Sequence, residues 1–358
     1  MRRAAVVGTG GIAAAHAEAL REMGDRIELV AVADVDEGRV GAFAREWDVP
    51  RTYPGLAEML DAETLDLVHV CTPPRDHVPL ALDCLAADVD VLVEKPPAMS
   101  LSELDTLIAA ERASAGHVAT VFQHRFGPAA LRLRRLMAEG VFGRSLVARC
   151  DTLWYRGDAY FEVPWRGTWA SEGGGPTMGH GIHQFDLLLS VLGPWREIRA
   201  VAARQARAVQ TEDVSMALVT FADGTLASVV NSLLSPRETS QLRLDFDRAT
   251  VEVEHLYGYT DAHWTVTPAP GHEDVAVRWQ EGRSAVVSGH RCQLEAFLDA
   301  VDRGAPPPVT LADTRRTMEF VAALYASAFT GEVVKAGEIG ADSPFYATME
   351  GNGAPWSR

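Results

Sequence analysis

The sequence predicts an α/β protein in two parts: a doubly wound parallel sheet, then a domain built on a mainly antiparallel sheet. Three observations predict it. The first third alternates short apolar runs with stretches of helical periodicity, the pattern of βαβ units. After about Phe122, strand-like runs follow one another across turns, as antiparallel neighbours do. The length, 358 residues, suits two domains better than one.

In chain order, Ala4 to Val7 reads as the first strand and Gly11 to Met23 as a helix. Ile27 to Ala33 (IELVAVA) reads as the second strand, fully buried and apolar on both faces. Leu67 to Cys71, Val89 to Val93 and Val118 to Phe122 read as later strands of the same sheet. Between them, His77 to Ala87 and Leu101 to Ser114 carry helical periodicity, the second opened by a capping box of Ser100 and Glu103. In the second part Leu146 to Leu153, Val214 to Phe221, Thr225 to Leu233 and Gln241 to Phe246 read as strands. Ala222-Asp223-Gly224 turns one into the next as a hairpin. Helices near His290 to Arg303 and Leu311 to Thr330 follow, joined by the stiff Gly304 to Pro308. The stretch from about Gly337 is small and polar and is expected to be loosely ordered. The expected boundary gives domains of 1–122 and 123–358.

Composition narrows the function. A charge of −16 argues against binding a nucleic-acid backbone, and no apolar run approaches the ~20 residues that span a bilayer. Arg2-Arg3, a short apolar run and Ala15-His16-Ala17 mimic an export signal, but Gly8, Gly10 and Gly11 interrupt it, so none is expected. Cys71, Cys84, Cys150 and Cys292 form no CxxC pair and read as reduced cytoplasmic thiols.

Gly8-Thr9-Gly10-Gly11-Ile12-Ala13 fits G-x-G-x-x-G/A between a strand and a helix, the context that makes this fingerprint informative. Gly8 permits the tight turn, Gly10 lets the backbone approach a pyrophosphate, and Ala13 keeps the helix close to the sheet. The first domain is therefore expected to be a Rossmann domain, with phosphates at the helix N-terminus. Asp34 ends the second strand, where a carboxylate binds the adenosine ribose and repels a 2′-phosphate. Asp36 adds to that repulsion and Arg39 is the only nearby counterweight, so NAD is expected ahead of NADP.

Glu94-Lys95-Pro96 follows a strand, placing Lys95 at the carboxyl edge of the parallel sheet where ligands bind in such folds. A lysine there can exchange protons or hydrogen-bond a substrate hydroxyl.

These pieces together resemble the Gfo/Idh/MocA family of oxidoreductases. The matching segments are GTGGIA with His16, AVADVD ending at Asp36, VCTPPRDH at Val70 to His77, EKP at Glu94 to Pro96 and GGGPTMGHGIHQFDLL at Gly173 to Leu188. Arg316 to Val334 resembles the family's last helix and strand. The resemblance implies a Rossmann domain followed by an α/β domain with a large open, mainly antiparallel sheet, through which members pair as dimers or tetramers. It implies that Lys95 contacts substrate and nicotinamide and that His183 is the general acid/base. Cys71, Thr72, Pro73 and His77 would form the loop beside the cofactor, with Glu94 adjacent. Gln123 and Arg125 would lie near nicotinamide and substrate. The implied reaction is hydride transfer between NAD and a secondary alcohol of a sugar or cyclitol.

One departure stands out. Relatives often carry an aspartate four residues before the histidine, where this chain has Gly179. His180 could take over a polar role, and Asp186, three residues beyond His183, could support the imidazole or serve the structure. His180, His183 and Glu172 also suit a metal site, but hydride chemistry with a lysine needs none, and no metal is expected. Tyr155, Trp165 and Arg166, with Trp154, Arg156 and Trp169, form an aromatic and arginine cluster suited to a sugar ring or to packing. Two alternatives to a dehydrogenase stay open: a lyase or hydrolase using transiently reduced, tightly held NAD, and a non-catalytic sensor of nucleotide or sugar.

Overall fold

The structure, a computed structural model, describes residues 1–357. It divides into two compact units: Met1–Val121 with His290–Arg315, and Phe122–Gly289 with the chain from Arg316 onward.

The first unit holds six strands: β1 (Arg2–Val7), β2 (Ile27–Ala33), β3 (Arg51–Tyr53), β4 (Leu67–Val70), β5 (Asp90–Val93) and β6 (Val118–Thr120). All pair in parallel in the order β3-β2-β1-β4-β5-β6. This is the dinucleotide-binding order, whose direction reverses between β1 and β4. The crossover helices are α1 (Ala13–Glu22), α2 (Glu37–Glu46), α3 (Leu56–Ala62), α4 (His77–Ala86) and α5 (Leu101–Glu111). Ser100 caps α5 by accepting the Glu103 N–H at 3.1 Å, while the Glu103 carboxylate reaches back to Met99 N at 2.8 Å rather than to Ser100.

The late helix His290–Asp302 belongs to this unit although its sequence follows the second. Its apolar side, Leu294, Phe297 and Leu298, joins the core formed by Ala13, Ala17 and Leu20 of α1. Asp299 and Asp302 pair with Arg26, and Gln293 donates to Thr120 O of β6 at 2.7 Å. An amphipathic pattern shows that a helix has a buried face but not which core receives it.

The second unit is an eight-stranded sheet in the order β13-β12-β11-β7-β10-β9-β8-β14. Its strands are β7 (Ser145–Tyr155), β8 (Trp195–Ala203), β9 (Val214–Phe221), β10 (Leu226–Ser232), β11 (Leu234–Phe246), β12 (Ala249–His255), β13 (Trp264–Pro268) and β14 (Val334–Lys335). Every neighbour pair is antiparallel except β7 with β10. The β9–β10 hairpin turns at Ala222-Asp223-Gly224 as expected, with Asp223 accepting the Thr225 N–H at 2.9 Å. Helices α6 (Pro128–Ala138), α7 (Trp169–Glu172) and α8 (Ile182–Leu192) lie in the same unit, and α8 packs on β7 and β11. The expectation of a loose tail is corrected: Phe345, Met349 and Ala354 are buried, and Trp356 Nε1 donates to Gln210 O at 2.8 Å. The few apolar residues of that stretch anchor it, which its average composition concealed.

Candidate active site

In the first unit the glycine turn has the shape a dinucleotide needs. Gly8 sits at φ +85°, and a Cβ there would lie 2.8 Å from Cys71 C and Thr72 N, so only glycine fits. Cys71 is held by its N–H on Val7 O at 2.7 Å and is buried. Gly10, Gly11 and Ile12 are exposed, and a Cβ on either glycine would meet no atom within 4 Å. That open backbone at the start of α1 is a fitting cradle for a pyrophosphate.

Asp34 closes the other side of the turn. Its carboxylate accepts Thr9 N at 2.7 Å, Thr9 Oγ1 at 2.9 Å and Asp36 N at 3.0 Å. Arg39 adds Nε at 3.0 Å and Nη2 at 2.8 Å. Burial alone would raise this acid, but Arg39 and then the Asp36 and Thr9 donors outweigh it and hold the carboxyl at about 2. These features fit NAD: a phosphate cradle, and a fixed anion placed for ribose hydroxyls.

At the carboxyl edge of the same sheet, Glu94-Lys95-Pro96 leaves β5. Half-buried Lys95 is preceded by Glu94, which is 4% exposed. Glu94 Oε1 accepts from His16 Nε2 at 3.0 Å and His290 Nε2 at 3.2 Å, and Oε2 accepts the Lys95 N–H at 3.1 Å. His16 Nδ1 lies 2.7 Å from His69 Nδ1. With His16 donating to Glu94, its Nδ1 accepts from His69, and one tautomer satisfies the chain of contacts. Burial lowers both His16 and His69 and so keeps the rings neutral. Burial would raise Glu94, yet its bonds to His16 and His290 hold it well below the usual carboxylate range. The candidate ligand atoms of His16, Glu94 and His290 lie within 4.8 Å of one another, a closeness these hydrogen bonds explain without an ion. His77 ties the Cys71-Thr72-Pro73 loop to the same motif, with Nε2 2.8 Å from Thr72 O and Nδ1 2.7 Å from Pro96 O. Sequence reasoning named Glu94, His77 and His16 but missed the network that joins His16, His69 and His290 to Glu94, because they come from separate segments of the chain.

The second unit carries the histidine segment. Gly173, at φ +80°, ends α7. The backbone then passes over Glu212, whose carboxylate accepts Gly175 N and Thr177 N at 3.1 Å each and the Tyr325 hydroxyl at 2.8 Å. Burial raises Glu212 to about 7. A π turn, Thr177–Gly181, leads into α8, which carries His183. The His183 ring lies 5.1 Å from that of His124. Arg125 forms a two-pronged pair with Asp186 at 2.5 and 2.6 Å, both buried, so Asp186 serves Arg125 directly. Gln123 opens this unit, and its buried Oε1 has no hydrogen-bond partner among the described residues.

The aromatic and arginine cluster forms in part. The Arg166 guanidinium stacks 3.6 Å over the Tyr160 ring and 5.0 Å from that of Trp165. Its Nε and Nη1 are buried without a hydrogen-bond partner among the described residues. Tyr160 OH lies 3.5 Å from His180 Nε2. Tyr155, at the end of β7, is exposed under Arg207 at 5.2 Å. Tyr160 escaped the sequence reading because no motif surrounds it.

Comparison with known proteins shows the family. Residues 2–122 match the model of an oxidoreductase family with an NAD-binding Rossmann fold, and residues 130–252 match the GFO/IDH/MocA C-terminal domain. The chain belongs to the Gfo/Idh/MocA oxidoreductase family. Among relatives of this family, it is 29% identical to the D-glucoside 3-dehydrogenase of Escherichia coli, over 93% of this chain and 97% of that one. It is 26% identical to the D-apiose dehydrogenase of Paraburkholderia graminis, over 96% and 92%. The WlbA dehydrogenase of Chromobacterium violaceum, solved with NADH and UDP-GlcNAcA, superposes with a TM-score of 0.82 at 26% identity, covering 94% of this chain and 96% of that one. As in the family, the first unit is an NAD-binding Rossmann domain. Among the described residues no helix is long and apolar enough to cross a membrane.

Proposed function

We propose that this chain is an NAD-dependent dehydrogenase that oxidises a secondary alcohol of a sugar or cyclitol. The observation that carries the reading is Lys95 leaving β5 at the sheet edge that also bears the Gly8 turn and Asp34. Sugar-dehydrogenase relatives matched over nearly their whole length support it.

Bound NAD supplies the hydride acceptor. In this reading Gly8, Thr9, Gly10, Gly11 and Ile12 hold its phosphates, Asp34 its ribose, and the Cys71-Thr72-Pro73 loop, His77, Glu94, Lys95 and Gln123 its nicotinamide half. Lys95 hydrogen-bonds the reacting hydroxyl oxygen, and His183 takes the hydroxyl proton as the carbonyl forms. Glu94 acts on Lys95 through its backbone, fixing where the ammonium starts. Arg166, with buried donors available, and Trp165, Tyr155 and His180 present a stacking surface and hydrogen bonds to hydroxyls. Arg125 shapes the pocket wall through Asp186. The reduced cysteines suit the cytoplasm.

Exposed Val201, Met216, Leu218, Leu226 and Val147 lie on the strands β7 to β10. Met216 stands opposite Val201, and Leu226 beside Val147. An apolar patch on an open sheet suits a homodimer or homotetramer, which light scattering of the native chain would read.

The test is a screen of sugars and inositols with NAD and NADP, following reduced-cofactor absorbance, on native and Lys95→Ala enzyme. Turnover with NAD that disappears in the variant, with NAD affinity retained, is the expected result. Full activity without Lys95 would overturn it. Copurified NAD with no net reduction by any polyol would move the reading to a redox-neutral lyase or hydrolase.

A further inference from the structure

The carboxylate of Glu172 lies in van der Waals contact with the place where a side chain at residue 179 would begin. Glu172 ends α7 and is 6% exposed. Its Oε2 accepts the Gly167 N–H at 2.6 Å, which pins the side chain. Its Oε1 lies 3.5 Å from the Cβ position of Gly179, the nearest atom to that position. Gly179 precedes His183 by four residues, and the backbone between them is helical, first the π turn and then α8. Residues four apart share one helix face. A carboxylate delivered to position 179 is therefore set on the face that carries His183 one turn later, at the residue next in sequence to His180.

We propose that Glu172 is the positioning carboxylate for the His180 and His183 imidazoles, supplied by α7 across the gap that Gly179 leaves. The aspartate absent from the helix is replaced by an acid from the preceding element. The surroundings make the charge felt. Tyr160, whose hydroxyl lies 3.5 Å from His180 Nε2, is pushed up to about 12, first by burial and then by the Glu172 charge. Arg166 and Arg156 face the Tyr160 ring at 3.6 and 5.3 Å, and His124 faces His183 at 5.1 Å. A larger residue at 179 would push the carboxylate away, and aspartate there would set two acids against each other.

The inference rests on the dehydrogenase reading for its kinetic test alone, so the experiment carries a second readout. Native, Glu172→Gln, Glu172→Ala and Glu172→Ala/Gly179→Asp proteins are compared by kcat/KM against pH, and by imidazole titration in NMR spectra of histidine-labelled protein. Glutamine is nearly isosteric, and its carbonyl keeps the bond to Gly167 N, so it separates charge from packing. Removing the nearby anion disfavours the imidazolium, so the titration of His183 or His180 in Glu172→Gln falls by roughly one pH unit. The acid limb of kcat/KM moves with it, and kcat falls about 100-fold through lost alignment. Glu172→Ala/Gly179→Asp regains most of both losses by returning the carboxylate to the helix.

Unchanged imidazole titrations and unchanged kcat in a folded Glu172→Gln protein would overturn the proposal. So would a double variant that folds but recovers neither. If the native chain oxidises no polyol while the titrations still depend on Glu172, the functional reading falls and this inference stands.

Discussion

Arg39 lays two nitrogens on the carboxylate of Asp34, Nε 3.0 Å from Oδ2 and Nη2 2.8 Å from Oδ1. In the proposed reading, the carboxylate that would select against a 2′-phosphate is thus neutralised by the residue best able to bind one. A cofactor would have to divide this pair: ribose hydroxyls would bind Asp34, whereas a phosphate would need Arg39 released.

Asp34→Ser should therefore shift cofactor choice toward NADP. It removes the repelling charge and frees Arg39 at once. A charge-assisted bond contributes about 1.5–3 kcal/mol, so the ratio of kcat/KM for NADP over NAD should rise roughly 10- to 100-fold. Arg39→Ala should lower that ratio and leave NAD use nearly unchanged. Steady-state kinetics with both cofactors check this, and an unaltered ratio in Asp34→Ser would contradict it.

Acid should destabilise the protein from just below neutrality. Burial lowers His16, His69 and His77 from 6.5, and His255 to about 4. A histidine depressed in the folded state contributes stability that is complete above 6.5 and is lost as pH falls toward its folded value. Glu212, raised from 4.5 to about 7, acts the other way, with a contribution that is complete below 4.5 and lost as pH rises through 7. Four histidines against one carboxyl leave a net uptake of protons on unfolding in this window. Urea midpoints measured from pH 7.5 to 4.5 should fall steadily, and a flat profile would contradict the assignment.

Glu94→Gln should cost stability and turnover together. The amide offers one acceptor oxygen and an N–H₂ group where three donors now converge. At least one buried donor is left without a partner, a cost of about 1–3 kcal/mol. The Lys95 backbone loses its anchor, so kcat should fall more than NAD affinity does. Calorimetry with NAD titration separates the two effects, whereas His290→Ala, at the edge of the network, should show the milder loss.

The parts of this fold written locally were legible in the sequence. Ile27–Ala33 matched its strand because Val30 to Ala33 are apolar and covered on both faces, although Glu28 near its start is exposed and the strand is not buried along its whole length. The glycine turn and the β9–β10 hairpin were legible because a backbone that needs a positive φ or a tight turn admits few residue types. β8 (WREIRAVAA) escaped because polar residues on its open face break up the apolar run. The candidate site was legible only where it is a motif. Lys95 and His183 are proposed from EKP and GIH, but the contacts of Glu94 with His16 and of His16 with His69 depend on which strand lies next to which. Likewise, Glu172 reaches Gly179 because a left-handed glycine at 173 reverses the chain after α7, and hydrophobic periodicity carries no trace of that reversal.

Gly8 and Gly10 should fail differently, and the contrast tests the nucleotide site without any substrate. Alanine at 8 must adopt φ +85° and force its Cβ to 2.8 Å from backbone atoms of Cys71 and Thr72. Backbone cannot yield as a side chain can, so β1 and the β4 loop must separate, and the melting temperature should drop by several degrees. Alanine at 10 meets no protein atom within 4 Å, so the fold should melt as the native protein does. Its methyl would instead enter the open space above the turn, where a pyrophosphate must touch the backbone. Gly10→Ala should therefore keep its stability and lose NAD affinity by at least about tenfold, as read by calorimetric titration. A Gly10→Ala protein that binds NAD normally would place the dinucleotide elsewhere and detach Lys95 from the chemistry assigned to it.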